Sequence, residues 1–385
     1  MTDSASIYLD YAATTPLDPR VRAAIDACLA DPPGNASSMH AAGRAARARV
    51  EAARAEVAAL VNAPPAAIVF TSGATEADNL AILGAARGNP DRGRHVVTLR
   101  TEHRAVLDAC QRLEREGFAV TRLTPGRDGL VDPAEIGRAL RVPTTLVSVM
   151  LVNNETGVVQ DIPAIAAECR RGGALLHVDA AQAAGRVPLD VVALDADLVS
   201  LAAHKIHGPV GVGALYVRRE PRPTLVPLSF GGGQEGGLRP GTLPVHQIVG
   251  MGAAYALARA DGGAEATRLA ALRDRLWAAL GRLPDTFLNG HPTARAPHIL
   301  NVSFGGLDGE ALLYALGGLA VSSGSACSSA SAEPSYVLRA LGRDDVLAQA
   351  SLRFSFGRPT TAAEVDAAAA QVEGAVSRLR ALAPR

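Results

Sequence analysis

A lysine stands between a histidine and a glycine-proline turn in Ser200–Pro209, SLAAHKIHGP, at the end of the apolar run Asp197–Ala203. A crowded lysine loses proton affinity and becomes a nucleophilic amine. Such an amine forms an imine with an aldehyde. Lys205 is therefore read as the anchor of an aldehyde cofactor, although the stretch taken alone fits a surface lysine after a strand better. The rest of the chain has to decide between the two.

Other stretches supply what such a cofactor needs. Asp179 ends the apolar segment LLHVD, with Gln182 three residues on. A carboxylate at the C-terminal end of a strand points into the crevice where open α/β sheets bind ligands. It would keep a pyridine nitrogen protonated and make the ring an electron sink; a plain helix cap is the competing use. Gln182 would donate to the ring's phenolic oxygen or face solvent. His103, in TEHRAVLD, would stack on a flat ring and move protons near neutral pH. Asn153 and Asn154 follow the strand Leu146–Val152, where one of them would touch the cofactor or simply form a turn. Thr71–Leu83, TSGATEADNLAIL, turns at Gly73 into a helix whose first amides, with the hydroxyl of Thr75, suit a phosphate. An ordinary capping box with Glu76 reads equally well there. These parts together describe a site for pyridoxal phosphate.

Ser322–Ser335, SSGSACSSASAEPS, sets Cys327 among small, polar residues. Structural cysteines prefer apolar surroundings, so Cys327 is read as an accessible nucleophile. Cys28, Cys110 and Cys169 lie in alanine-rich helical patterns and are read as inert. Arg353 alternates with apolar neighbours in SLRFSFGR and suits bidentate binding of a carboxylate.

Elements must carry these residues to one place. Short apolar strands are expected at Ala67–Phe70, His95–Leu99, Ala119–Leu123, Leu146–Val152, Leu175–Val178, Leu198–Ala202 and Gly213–Val217, with helices Ala74–Arg87, Ala105–Glu116 and Ile162–Arg171 between them. This alternation implies an α/β fold with a mostly parallel sheet and helices on both faces. The glycine-rich loop Gly231–Thr242 precedes a helix, Val245–Ala260, and a second helix follows at Glu265–Leu280. Strands Ile299–Phe304 and Ser351–Phe356 and helices Gly309–Leu316 and Ala362–Leu382 complete a smaller α+β lobe. The expected division is a large domain over 15–262 and a small domain made of 1–14 and 263–385 that carries the cysteine loop 322–335.

Bulk properties narrow the function. With 38 basic and 38 acidic side chains the net charge is zero, which argues against direct nucleic-acid binding. No apolar run reaches the roughly 20 residues of a membrane span, and MTDSASIYLD lacks the basic and apolar parts of a secretion signal. The four cysteines form no CxxC, so a reduced, cytoplasmic protein is the expectation.

The chain resembles the cysteine desulfurases of the NifS/IscS type, fold-type I pyridoxal-phosphate enzymes. The resemblance lies in YLDYAATTPLDPRV, FTSGATEADNLAI, TEHRAVLD, VNNETGVVQDI, HVDAAQAAGR, HKIHGPVGVGALYV, GTLPVHQIVGMG, HILNVSF, SSGSACSSASAEPSYVLRALG and LRFSFGRPTT, in order from residue 8 to about 361. It implies a seven-stranded sheet in the large domain and a role for each matching residue. Lys205 would bind the cofactor as an imine and move protons. His103 would stack on the ring, Asp179 would pair with its nitrogen, Gln182 with its phenolic oxygen, and Asn154 would contact it near the substrate. Thr75, the amides around Ala74, and His204 would hold the phosphate. Thr242 would reach the phosphate of the other subunit in an obligate homodimer. Arg353 and Asn35 would take the carboxylate of L-cysteine, with Asn154 near the substrate. Cys327 would attack the substrate sulfur, leaving alanine and an enzyme persulfide. The sulfur would go to an iron–sulfur scaffold protein or another acceptor, tRNA thiolation included, with Cys327 as a transient cluster ligand shared with the scaffold.

The chain departs from the family pattern at Ala202, where a serine hydroxyl usually supports the phosphate, and at Gly236 and Pro240, where arginine and serine are usual. It also stops at Arg385, short of the tail used for scaffold docking, so weaker docking or another surface is expected. A transaminase or lyase on the same fold has no use for the cysteine loop. A non-catalytic scaffold has none for Lys205, Asp179, His103 and Cys327.

Overall fold

The computed structural model describes residues 6–323 and 333–382. The first half runs β1 (Ile7–Tyr8), α1 (Pro19–Ala30), α2 (Ala41–Leu60), β2 (Ile68–Thr71), α3 (Ala74–Gly88), β3 (His95–Leu99), α4 (Arg104–Arg115), β4 (Ala119–Leu123), α5 (Pro133–Ala139), β5 (Leu146–Met150), α6 (Ile162–Gly172), β6 (Leu175–Asp179), β7 (Leu198–Ala202) and β8 (Gly213–Val217). The second half runs α7 (Val245–Leu280), β9 (Thr286–Leu288), β10 (Ile299–Phe304), α8 (Gly309–Ala315), β11 (Leu319–Ala320), β12 (Ser322–Ser323), α9 (Tyr336–Ala340), α10 (Asp345–Gln349), β13 (Ser351–Ser355) and α11 (Ala362–Leu382).

Seven strands form one sheet in the order β2-β8-β7-β6-β5-β3-β4. Only β8 runs against its neighbours, so the sheet is mostly parallel, as the strand–helix alternation implied. All of its strands but the edge strand β4 are buried on both faces. Val147, Val149, Leu176 and Val178 meet Val50, Val57, Ile248 and Met251 on one face. Leu146, Leu175 and Leu198 meet Leu80, Val106 and Leu113 on the other. Burial on both faces explains why these segments read as continuous hydrophobic runs rather than alternating ones.

A second core holds Leu269, Leu276, Val302, Phe304, Phe354 and Val372 around the antiparallel sheet β12-β13-β10-β9. The N-terminal arm joins both cores: Leu9 belongs to this one and Ala12 to the first. Its strand β1 pairs in parallel with β11.

Two expected helices are one. Val245–Ala260 and Glu265–Leu280 form the continuous 36-residue α7, across Gly262 and Gly263. The glycines weaken a helix by about 1 kcal/mol each relative to alanine. Ala258 before them and Leu269 after them are both buried, and Glu265 forms ion pairs with Arg186 and Arg358. That packing outweighs the local preference. The helix α5 and the short elements β1, β9, β11, β12, α9 and α10 were not anticipated. Of these, α5 had a legible start: Asp132 caps it through the amide of Ala134, and Pro133 is its first residue.

Candidate active site

The parallel strands deliver their C-terminal ends to one crevice. Asp179 is the last residue of β6, Asn154 follows β5, His103 follows β3, Gly73 follows β2 and Lys205 follows β7. A cavity of about 480 Å³ lies there. Lys205, His103, Asp179, Asn154, Gln182, His204, Ala74, Thr75 and Arg353 all line it. Asn35 and Thr242 do not; both are exposed, and the side chain of Asn35 accepts from the amide of Ser37. In this chain neither side chain reaches the cavity that Arg353 lines. Cys327 lies outside the described residues, but Ser322, at the start of its segment, touches Arg353.

The lysine amine is held by the N-terminal arm. Its Nζ donates to the carbonyl oxygens of Ala12 at 2.7 Å and Ala13 at 2.8 Å. Gln182 gives one amide hydrogen to the same Ala12 oxygen at 2.8 Å, and its Oε1 accepts from Nε2 of His298 at 3.3 Å. With the amide fixed that way, its second hydrogen remains for an oxygen in the cavity.

Asp179 is buried and accepts from the amide of Ala181 at 2.9 Å. Burial pushes its carboxyl up, while that amide and the charges of His103 and Lys205 pull it back down. A cationic ring nitrogen would act in the same direction as those charges. His103 caps α4, its Nδ1 accepting from the amide of Ala105 at 3.2 Å. Burial lowers its pKa, and the charge of Lys205 works in the same direction.

The anion end is equally open. The cap of α3 is Gly73, which has no side-chain capping bond, so the first amides of this 15-residue helix are left for a ligand. A Cβ placed at Gly73 would meet nothing within 4 Å, so the space before the helix is clear. At Gly213 a Cβ would lie 2.6 Å from the backbone of Gly73; only glycine lets β8 approach that turn. His204 bonds Thr14 through Nδ1 at 3.1 Å, and burial holds it at a pKa of about 4. Of the capping-box reading only the Glu76 half is present: Glu76 accepts from the amide of Ser72, while the cap itself is Gly73 and no side chain caps the helix start; Glu76 also pairs with Arg239 at 3.0 Å.

A clear helix start, a carboxylate, a stacking imidazole and a lysine amine thus surround one cavity, and buried Oδ1 of Asn154 has no partner in it. The donor set fits pyridoxal phosphate: the α3 amides and Thr75 for its phosphate, Asp179 for its nitrogen, Gln182 for its phenolic oxygen and Lys205 for its aldehyde.

The model of the family called aminotransferase class-V matches residues 7–368. The chain belongs to this family. Relatives within it include cysteine desulfurases. The chain is 56% identical over 382 residues to "Cysteine desulfurase IscS" of Ectopseudomonas mendocina, covering 98% of this chain and 94% of that one. It is 55% identical over 381 residues to the protein of the same name from Pectobacterium atrosepticum, with the same shares covered. Among solved structures, a "NIFS-LIKE PROTEIN" superposes with a TM-score of 0.90 at 34% identity, over 97% of this chain and 100% of that one. The chain is a pyridoxal-phosphate-dependent cysteine desulfurase.

Several residues of this desulfurase site carried no signal in the sequence. Ala12 and Ala13 act through backbone carbonyls. Asp10 binds Arg353, and His298 orients Gln182. Beneath Asp179 lie two further buried carboxyls, Asp78 and Glu102, each with one oxygen unpartnered. Burial raises both well above the carboxylate range, with the charge of Asp179 adding to it. Of the three, only Asp179 has the charges of His103 and Lys205 pulling its carboxyl back down. Asp78 was discoverable in principle, since it lies three residues after Thr75 on a helix otherwise apolar on that face. Burial also pushes the thiols of Cys110 and Cys169 up to about 12, so neither is a nucleophile at neutral pH. Among the described residues no cluster of His, Cys, Asp and Glu is arranged to hold a metal ion. None of their helices is long and apolar enough to cross a membrane.

Proposed function

We propose that this desulfurase converts L-cysteine to L-alanine, keeps the sulfur as a persulfide on Cys327, and passes it to an iron–sulfur scaffold protein or another acceptor in the cytoplasm. One observation carries the reading: Arg353, the candidate carboxylate ligand, lines the Lys205 cavity and bonds Ser322, where the cysteine-bearing segment begins. Carboxylate and amine recognition thus share one cavity, and Ser322, five residues before Cys327 in the chain, touches its arginine. A related solved structure, 35% identical with a TM-score of 0.81 and described as "SspA in complex with cysteine", supports the substrate.

Pyridoxal phosphate, when bound, supplies an electron sink that acidifies the substrate's Cα–H. The chain supplies the rest. Arg353 orients the substrate by its carboxylate. Lys205 takes the Cα proton and returns one to the carbon framework. The thiolate of Cys327 attacks the substrate sulfur; the S–S bond forms, the Cβ–S bond breaks, the proton that the Cys327 thiol gave up ends on Cβ as part of the methyl group, and the proton held by Lys205 returns to Cα. Asp179 keeps the opposing charge in place throughout.

The lobes 15–262 and 1–14 with 263–385 are proposed as the two domains, since the two cores divide along α7. A homodimer is proposed because Thr242 lies exposed at the end of a loop pinned firmly to the large domain. Glu235 fixes that loop through Arg54 at 2.7 Å and the amide of Phe70 at 2.7 Å. Gly236 follows with φ +64°, a conformation that suits glycine where relatives were expected to carry arginine.

Cysteine labelled with radioactive sulfur tests the reading. The label is expected on Cys327 with one alanine released, and Cys327→Ala is expected to keep the cofactor's absorption band but form neither persulfide nor alanine. Alanine release undiminished in that variant would overturn it.

A further inference from the structure

Arg353 is not free to point where it likes. Its Nη2 donates to Oδ1 of Asp10 at 2.8 Å and to Oγ of Ser322 at 3.0 Å. Ser322 in turn donates to the same Asp10 oxygen at 2.9 Å, so the three side chains close a triangle. On the other side, Nη1 donates to the carbonyl oxygen of Asn154 at 2.9 Å. The arginine side chain is only 5% exposed and the aspartate 20%.

Asp10 reaches further than this contact. It forms a parallel bridge with Ser355, two residues beyond Arg353 on the same strand. The amide of Ala12 donates to Oγ of Ser355 at 2.8 Å. The carbonyl oxygen of Asp10 accepts from the amide of Ala13 at 3.0 Å, closing the turn that carries Ala12 and Ala13. Those two residues present the carbonyls that hold Nζ of Lys205. One acidic residue of the N-terminal arm therefore fixes the guanidinium with its side chain and the lysine's cradle with its backbone.

We propose that Asp10 is the positioning residue for Arg353. Its side-chain oxygen holds the guanidinium plane in the orientation that meets the substrate's carboxylate. Arginine has several rotatable bonds, and an unheld guanidinium in a roomy cavity samples many orientations. A fixed one loses less freedom on binding, which lowers KM without changing the chemistry that follows. This inference rests on the reading that Arg353 takes the substrate carboxylate.

Steady-state kinetics of the holoenzyme with L-cysteine test it, using Asp10→Ala, Asp10→Asn and Arg353→Ala. Asp10→Ala is expected to raise KM about tenfold, the size of one hydrogen bond to a charged group, with a much smaller fall in kcat. Asp10→Asn is expected close to the native KM, because its amide oxygen still accepts from Nη2 and from Ser322. In the cofactor-free protein, Asp10→Ala is expected to speed amide exchange at Ser322 and Ser323. Should Asp10→Ala not fold, Asp10→Glu keeps the charge but displaces the oxygen, and the same KM rise is expected. A KM unchanged in Asp10→Ala or Asp10→Glu, or an Asn variant as impaired as the Ala variant, would overturn the inference. Arg353→Ala separates the two readings. If it leaves KM unaltered, the carboxylate assignment itself fails; if it raises KM and the Asp10 variants do not, only the role of Asp10 fails.

Discussion

Nζ of Lys205 lies 2.7 Å from the carbonyl oxygen of Ala12, a residue 193 positions earlier in the chain. The arm is therefore a wall of the active site and not a loose leader. Thr15 strengthens it: its amide and hydroxyl both donate to the carbonyl of His204, at 2.9 and 2.8 Å, on the residue beside the lysine.

Removing the amine removes the covalent hold on the cofactor and the proton carrier together. Lys205→Ala is expected to lose its visible absorption band on gel filtration. Alanine formation from cysteine should fall by at least about 10³-fold, as for a lost general base. A band that survives extensive washing at full strength would contradict the assignment.

Asp179→Asn keeps the shape and the bond from Ala181 but cannot carry the charge. The cofactor should remain attached through Lys205, while single-turnover alanine formation falls on the order of 10²- to 10³-fold, the usual effect of removing one preorganised electrostatic partner. Equal rates in the two proteins would show that the ring nitrogen does not depend on this carboxylate.

Glu155 gives a pH signature. It is buried, accepts from the hydroxyl of Ser335, and burial pushes its pKa up to about 7. Between about pH 4.5 and 7 the native state then holds a proton that the unfolded state has released. Stability is therefore lost as pH rises through that window, with a slope of at most roughly 1.4 kcal/mol per pH unit from this group. Glu155→Gln removes the slope. Urea denaturation at several pH values should show the variant gaining on the native protein up to about pH 7 and holding a constant advantage above it.

The long helix α7 is tied down by a buried ion pair. Arg186 and Glu265 are both buried and in contact, and Glu265 also pairs with Arg358 at 2.9 Å. Glu265→Ala leaves the buried Arg186 without its counter-charge, while Arg358 keeps Asp18. It is expected to destabilise the protein by about 3–5 kcal/mol, the cost of stranding a buried charge. A shift in the urea midpoint worth less than about 1 kcal/mol would show that water relaxes around the pair.

Much of this was legible in the residues alone. Apolar runs of four to seven residues separated by helical stretches gave the seven strands, since strands buried on both faces cannot hide their hydrophobicity. Lys205, Asp179, His103, Gln182 and Thr75 were chosen by chemical type and position after strands, Arg353 by its alternation within a strand, and Asn154 over Asn153 by the family resemblance; all line one cavity. The continuous α7 was not legible, because two adjacent glycines are a local signal and the burial of Ala258 and Leu269 is not. Nor was the part played by Asp10, Ala12 and Ala13. A backbone carbonyl has no side-chain signature, and an aspartate near the N-terminus looks like any other until β1 pairs with β11 and brings it to Arg353. Sequence determined which groups could do the chemistry, because reactivity belongs to residue type. Which groups hold them still was decided only by packing across hundreds of residues, because orientation depends on neighbours that are distant along the chain.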